Sequence, residues 1–252
     1  MESPTTTIIT PTYNRPALFA ECAQAVLAQS YQDWVWWVVF NPSWEKMLSE
    51  SLGEYNWNGF MKDDRVLPLI CPINRADRME SHIPARIVNW LYPKVQTPYI
   101  YFLADDDLID PGGLEMLVER LELGKYRDGD GYDYIHDAVY GRCEVVDQQS
   151  DGSYRHGSWC YDWGDVGLGT GIEPKCRLDG GQVLHTKALW DRATADGWAL
   201  TDAKEDAAAN DGTLLNRLAQ FARFHYVPTN IVTHRRHTNA TFHKPQLSTD
   251  LL

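Results

Sequence analysis

The 252-residue chain carries 35 acidic and 23 basic residues, a formal net charge of -12, and without clustered Lys and Arg that balance excludes a nucleic-acid-binding surface. Its hydrophobic content of 44% and charged content of 23% are those of a globular protein, with one large domain over residues 1–252 as the expected organisation. Ten Trp and thirteen Tyr are more than folding needs and suit a site that binds sugar or base rings.

The first expected element is a β-branched strand over Thr5–Thr10 (T-T-T-I-I-T), broken by Pro11-Thr12-Tyr13-Asn14-Arg15-Pro16. Leu18, Phe19, Cys22, Val26 and Leu27 then keep helical spacing, and Trp34–Phe40 reads as a second strand. Strand, turn, helix, strand opens a parallel α/β unit, whose ligands bind outside the carboxyl ends of the strands. Pro11 to Arg15 and Asn41 lie at such ends. A helix over Trp44–Leu52, the loop Asn56-Trp57-Asn58-Gly59 and a strand over Arg65–Ile70 come next. From Ile83 the sequence I-P-A-R-I-V-N-W-L-Y reads as a helix started by Pro84, with Arg86 and Asn89 three apart on one face. Arg86 there either meets an anion or forms a surface salt bridge.

Tyr99 to Ala104 (Y-I-Y-F-L-A) is a strand buried on both faces, and Asp105-Asp106-Asp107 follows where it emerges. A turn needs one Asp, so three adjacent like charges point to a cation or to a cationic transition state. An extended path would send Asp105 and Asp107 to one side and Asp106 to the other. Two carboxylates on one side suit Mg2+ or Mn2+, hard ions that share their shell with substrate phosphates. Pro111-Gly112-Gly113 then precedes a helix carrying Leu114, Leu117, Val118 and Leu121.

Gly124 to Gly181 is rich in Gly, Asp, Tyr and Trp, with strand-like pieces at Tyr132–His136 and Arg142–Val146. Residues 152–171 have no periodicity, and their aromatic residues Tyr154, Trp159, Tyr161 and Trp163 fit a lid or binding loop. A strand over Gln182–Thr186 and helices over Lys187–Ala195 and Thr213–Phe221 follow. Glu205, Asp206 and Asp211 are candidates for a general base, although Asp211 also stands where a helix cap would, and a helix start would lower its pKa. Asn230 to His243 holds His234 and His237 three apart among arginines, a basic tail suited to phosphate and metal. The five cysteines are odd in number and lack a C-x-x-C pair, which argues against a disulfide framework and for a cytoplasmic protein. No apolar run approaches the ~20 residues of a membrane span, and no signal peptide is expected.

Taken in order, these segments resemble the family 2 glycosyltransferases with the GT-A fold over nearly the whole chain. I-I-T-P-T-Y-N-R-P-A-L is similar to that family's first strand and nucleotide-contacting turn, A-Q-S-Y-Q-D-W-V-W-W-V-V to its first helix and second strand, and I-P-A-R-I-V-N-W to its Ala-Arg-Asn helix. Y-I-Y-F-L-A-D-D-D-L-I-D-P-G-G-L resembles its Asp-x-Asp strand, N-D-G-T-L-L-N-R-L-A its Glu-Asp segment, and R-R-H-T-N-A-T its C-terminal Arg-x-His segment. The resemblance implies an α/β GT-A domain with a Rossmann-like, mostly parallel central sheet flanked by helices. Residues 1–110 would bind the nucleotide-sugar, and 111–252 would bind acceptor and carry catalysis, with a flexible loop near 152–171.

It further implies inverting transfer of a sugar, as a hexosyltransferase, from a UDP-, GDP- or dTDP-type donor to an acceptor hydroxyl, assisted by Mn2+ or Mg2+. Asp211 takes the base position, with the literal pair Glu205-Asp206 as the rival assignment. Pro11, Tyr13, Asn14, Arg15, Asn41, Arg86, Asp105, Asp106 and Arg236 fall on the nucleotide-sugar side. Asp107, His234 and His237 are the implied metal ligands, and Trp159 and Trp163 are available to stack on a sugar acceptor. Two departures stand out: Phe40-Asn41-Pro42 replaces the Asp that reads the pyrimidine, and Asn210 replaces the Glu of Glu-Asp. A sugar nucleotidyltransferase and a non-catalytic sugar-nucleotide or glycan-binding module are the other classes that paired Asp residues on an α/β sheet allow. Oligomeric state is left open by the sequence.

Overall fold

A computed structural model describes residues 3–13, 15–40, 60, 62–71, 83–124, 126–127, 133–134, 136–159, 163–175, 177–201 and 210–237. The expected helix at 44–52 and the 56–59 loop lie outside them. Strand β1 (Thr6–Thr12), helix α1 (Pro16–Leu27) and strands β2 (Trp34–Phe40) and β3 (Val66–Ile70) begin the chain. Helix α2 (Ile83–Leu91), β4 (Tyr99–Phe102), β5 (Leu108–Ile109) and α3 (Gly113–Leu123) follow. A short pair, β6 (Tyr126–Arg127) with β7 (Asp133–Tyr134), forms its own ribbon. The rest comprises β8 (Ala138–Gln148), β9 (Tyr154–Trp159), β10 (Val166–Gly167), β11 (Val183–Thr186), α4 (Lys187–Ala193), α5 (Asn210–Ala219) and β12 (Arg223–Arg236).

One ten-stranded sheet unites these pieces in the order β10-β12-β8-β11-β4-β1-β2-β3, with β5 on β12 and β9 on β8. Pairing is parallel from β4 through β1 and β2 to β3, and again between β8 and β12. Strand β11 runs antiparallel between β4 and β8. Apolar residues in β2 and β4 are nearly continuous, and β1 buries Ile8 and Ile9 on opposite faces among buried threonines, because both faces are covered. Ile8, Val38 and Tyr101 pack on one face with Phe19 and Val26 of α1 and Leu117 of α3. Their neighbours Ile9, Val39 and Ile100 pack on the other with Ile87 of α2, Leu189 of α4 and Leu215 of α5. Phe19 sits edge-on to Phe40 and Phe60 and tilted to Trp36, whose indole N–H donates to Thr10 Oγ1 at 2.9 Å. That bond lets a wide polar-tipped ring be buried without leaving its donor unpaired.

Two elements differ from the expectation. Part of the aperiodic stretch 152–171 is strand β9, which pairs antiparallel with Glu144–Gln148 of β8. Its polar sequence Y-R-H-G-S-W gave no alternation, because an edge strand needs no apolar face of its own. The second is β12, fourteen residues long where only a basic tail was expected. It follows β8 for its whole length, with register shifts around Asn230, just past Pro228, which has no N–H for the ladder. The backbones approach closely there, since a Cβ on Gly141 would lie 2.9 Å from the Thr229 carbonyl oxygen. The pairing of Thr233 and Val232 with Leu108 and Ile109 brings the end of β12 beside the three-Asp segment. Among the described residues no helix is long and apolar enough to cross a membrane.

His185 lies in the core at 4% exposure, its Nδ1 3.0 Å from the Thr186 carbonyl oxygen. Burial pushes its pKa down to about 4, so the folded state keeps it neutral while an unfolded chain protonates it near 6.5. The unfolded state therefore binds the extra proton as pH falls from about 6.5 to 4, and stability drops across that window by about 2 to 3 kcal/mol. Urea unfolding of wild type and His185→Phe at pH 7 and pH 4.5 should show the loss in wild type and a smaller one in the variant.

Candidate active site

The carboxyl ends of β1 and β4 are adjacent because the strands are parallel neighbours. After β4 the chain turns instead of staying extended, with the Asp107 N–H donating to the Ala104 carbonyl oxygen at 3.2 Å. The turn overrides the expected alternation. Asp105 and Asp106 share Arg15, and Asp105 also accepts the Tyr13 N–H at 3.3 Å. Asp106 meets His237 Nε2 at 3.0 Å. Asp107 faces the other way, 3.0 Å from His234 Nδ1 and accepting the Arg235 backbone N–H at 3.2 Å. All three carboxylates are buried.

Neighbouring residues of β12 alternate in direction, which separates the two arginines. Arg236, the one assigned to phosphate, lies outward against Asp147 at 2.7 Å. Arg235 is 2% exposed and bonds the Asp106 carbonyl, Glu21 and, at 3.1 Å, the Leu18 carbonyl. It ties β12 to α1 beneath the carboxylates. Sequence reasoning passed over Arg235 because nothing in R-R-H marks which arginine turns inward.

Asp179 is the second residue that reasoning missed. Its carboxylate, that of Asp107 and the His234 imidazole offer ligand atoms all within 4.8 Å of one another. Two oxygens and one nitrogen form a donor set that fits Mn2+ or Mg2+, and His237, paired with Asp106, lies outside it. Burial raises the pKa of Asp107 against the opposing charge of His234, whose own pKa Asp107 raises. A cation would relieve the same crowding. Asp179 is held by a 3-10 turn over Gly180–Gln182: its Oδ1 accepts the Gly181 N–H at 2.9 Å, and Gln182 bonds the Asp179 N–H and the Gly141 carbonyl at 2.8 and 2.7 Å. The buried Tyr101 hydroxyl donates to the Gly181 carbonyl from below. The signal in the sequence was L-D-G-G-Q, an acid before a Gly-Gly turn. Its nearness to Asp107 depends on β11 returning beside β4.

Asp211 lies in the first turn of α5, with its carboxylate against Gly180 of the same turn. A Cβ on Gly180 would lie 3.6 Å from the Asp211 carboxyl carbon. Desolvation, then the charges of Asp179 and Asp107, push the Asp211 pKa up. The helix start was expected to lower it, and the crowding of carboxylates outweighs that dipole. Water on the exposed outer side of Asp211 tempers the rise.

Pro11 is half-buried near the end of β1, Tyr13 just after that strand is 55% exposed, and Arg86 is half-buried on α2. Trp163 is 37% exposed with the Arg177 guanidinium 4.8 Å from its ring, and Trp159 pairs through β9 with Glu144. Asn14, Asn41, Glu205 and Asp206 lie outside the described residues.

A mostly parallel sheet with acidic residues at its carboxyl edge and a C-terminal strand returning over them is the GT-A architecture of glycosyltransferases. The chain belongs to glycosyl transferase family 2, whose family model matches residues 7–140. Among solved structures, S. aureus TarS residues 1-349 in complex with UDP-GlcNAc is similar at a TM-score of 0.67 and 14% identity, covering 94% of this chain and 60% of that one. TarS 1-349 without a named ligand gives 0.61 at 12% identity, covering 92% and 60%. At these identities the likeness is one of fold, and the chain spans about 60% of the TarS fragment's length. Comparison with curated protein sequences gives no significant match.

Calorimetric titration with Mn2+ should show loss of binding in Asp107→Ala and at least ~10-fold weakening in Asp179→Asn, as expected for removal of a ligand. Affinity unchanged in both variants would remove the cluster as a metal centre.

Proposed function

We propose that this protein is a metal-assisted glycosyltransferase that moves a sugar from a nucleoside-diphosphate donor to an acceptor hydroxyl with inversion. The observation that carries the reading is the turn Asp179–Gly180–Gly181, which has Asp107 and His234 on one side and Asp211 on the other. A diphosphate-holding group and a base thereby flank one turn, an arrangement compatible with a single in-line displacement at an anomeric carbon. A divalent cation held by Asp107, Asp179 and His234 would supply Lewis-acid neutralisation of the leaving diphosphate. The TarS complexes, with UDP-GlcNAc and with UDP, support a nucleotide-sugar donor and make UDP-sugars the first to test.

Asp211 takes the acceptor proton as the oxygen attacks, and a raised pKa makes its carboxylate a better base than a free one. Asp105 and Arg15 line the nucleotide side at the end of β1, with Asn14 next to Arg15 in sequence and Asn41 next to the end of β2. Arg15, neutralised here by Asp105 and Asp106, can turn to the diphosphate as a bidentate donor. Arg86 is a further diphosphate partner in this reading, Arg236 is set aside by its outward pairing with Asp147, and His237 holds Asp106 in line. Trp163, and Trp159 on the β9 hairpin, serve the acceptor.

Removing a general base commonly costs ~10²–10⁴-fold, so Asp211→Asn should lower kcat by about that much while calorimetric donor affinity is preserved. Glu205→Gln and Asp206→Asn should cost far less, and a dead Glu205 or Asp206 variant beside an active Asp211→Asn would move the base upstream. Product analysis completes the test: free nucleoside diphosphate and an inverted anomer by NMR are expected, whereas pyrophosphate release would indicate nucleotidyl transfer.

A further inference from the structure

The three candidate metal ligands come from separate elements: Asp107 follows β4, Asp179 opens the Gly180–Gln182 turn, and His234 lies on β12. Side chains on separate elements keep a fixed spacing only where the elements are tied to one another, and metal sites depend on the groups that hold their ligands. One buried amide stands at this junction. Gln182, at 1% exposure, accepts the Asp179 N–H through Oε1 at 2.8 Å and donates from Nε2 to the Gly141 carbonyl oxygen at 2.7 Å. An N–H needs an acceptor and a carbonyl needs a donor, so the two partners fix which way the amide faces. An ionised carboxylate of the same length could serve only the first.

Gly141 is where the ladder between β8 and β12 turns irregular. Val227 is opposite Gly141, Asn230 is opposite Arg142 and Val232 is opposite Cys143, and only after those shifts does His234 fall opposite Val145. The shifts decide which residue of β12 arrives beside Asp107, and Gln182 holds β8 at their edge. From the β4 side the fully buried Tyr101 donates its hydroxyl to the Gly181 carbonyl oxygen. Gly181 lies where these elements converge: a Cβ on it would be 3.3 Å from Asp179 Oδ1, 3.5 Å from Val232 Cγ2 and 3.8 Å from Asp107 Oδ2. Asp179 Oδ1 also accepts the Gly181 N–H at 2.9 Å, which leaves Oδ2 for an ion.

We propose that Gln182 is a positioning residue of the metal centre: it joins the turn that carries Asp179 to the β8–β12 ladder that carries His234, and so presets the spacing of those two ligands before an ion enters. Both of its polar groups are spent on backbone, so it acts through Asp179 and His234 and not on the ion itself. Tyr101 braces the same turn from the strand that leads to Asp107. Ligands held this way need little rearrangement on binding, which makes affinity depend on a side chain that never reaches the ion. The inference rests on the metal-assisted reading and deepens it by naming what holds the centre in shape.

The test is a double-mutant cycle on the full chain, read by calorimetric Mn2+ affinity, with urea unfolding to confirm that each variant folds. Gln182→Met keeps the length of the side chain and removes both hydrogen bonds, and it should weaken Mn2+ binding at least about tenfold. In an Asp179→Asn background the same change should cost less than about twofold, because the ligand it positions is already lost. Should Gln182→Met not fold, Tyr101→Phe decides the matter in its place: it keeps the ring, removes one bond to the turn, and should weaken Mn2+ binding only where Asp179 is present. Affinity unchanged in the folded variant, or an equal fall in both backgrounds, overturns the positioning role while Mn2+ binding by wild type leaves the metal centre intact. Failure of wild type to bind Mn2+ overturns the metal centre and the inference with it.

Discussion

The contact between Asp107 and His234 is the constraint on which the rest of the site depends. Asp107 follows a central parallel strand and His234 lies near the end of β12, 127 residues later. They meet because Leu108–Ile109 adds to β12 as a short antiparallel strand and because β12 itself lies parallel to β8. Each of those pairings is local backbone chemistry, and together they convert a one-sided acidic edge into a ring of mixed donors. Gly141 is part of the same device, since only a residue without Cβ allows β8 and the irregular stretch of β12 to lie so close.

The electrostatics of the edge are those of a site held ready for a cation. Asp105, Asp106, Asp107, Asp179 and Asp211 crowd one end of the sheet, and burial raises the pKa of Asp105, Asp107 and Asp211. Arg15, His234 and His237 partly compensate, each pairing with a carboxylate that a substrate or metal could share. Such pairs contribute little net stability, because desolvation offsets most of the attraction. Their arrangement is better understood as preorganisation of charge, maintained by the apolar layers above and below the sheet.

Much of the fold could be read from the chain because its parallel core obeys local rules. Ile8-Ile9 and Trp34–Phe40 are apolar on both faces, Pro16 starts α1, and Asp105-Asp106-Asp107 interrupts an otherwise uniform strand. Legibility failed where an element draws its order from a neighbour. Strand β9 is polar and exists through β8, and of β12 only the part from Asn230 on was read, as a basic tail, although its F-H-Y-V and I-V-T-H runs both pair with β8. The site followed the same division. Asp105, Asp106, Asp107, Arg15 and His234 were within reach of pattern and resemblance. Asp179 and Arg235 were not, since one needs the antiparallel return of β11 and the other needs to be known as the inward member of an arginine pair.

The tie that Arg235 makes to Leu18 and Glu21 spans 217 and 214 residues of sequence. Loops of that length close slowly, and the contacts that depend on them form after local helices and neighbouring strands are in place. During synthesis the acidic edge therefore leaves the ribosome long before its basic counterpart. Until β12 docks, Asp105, Asp106 and Asp107 stand at the rim of an unfinished sheet, where water solvates their charges and an ion is poorly held. Of the described strands the last to be made is thus also the one that closes the edge, so the centre assembles only once β12 has docked.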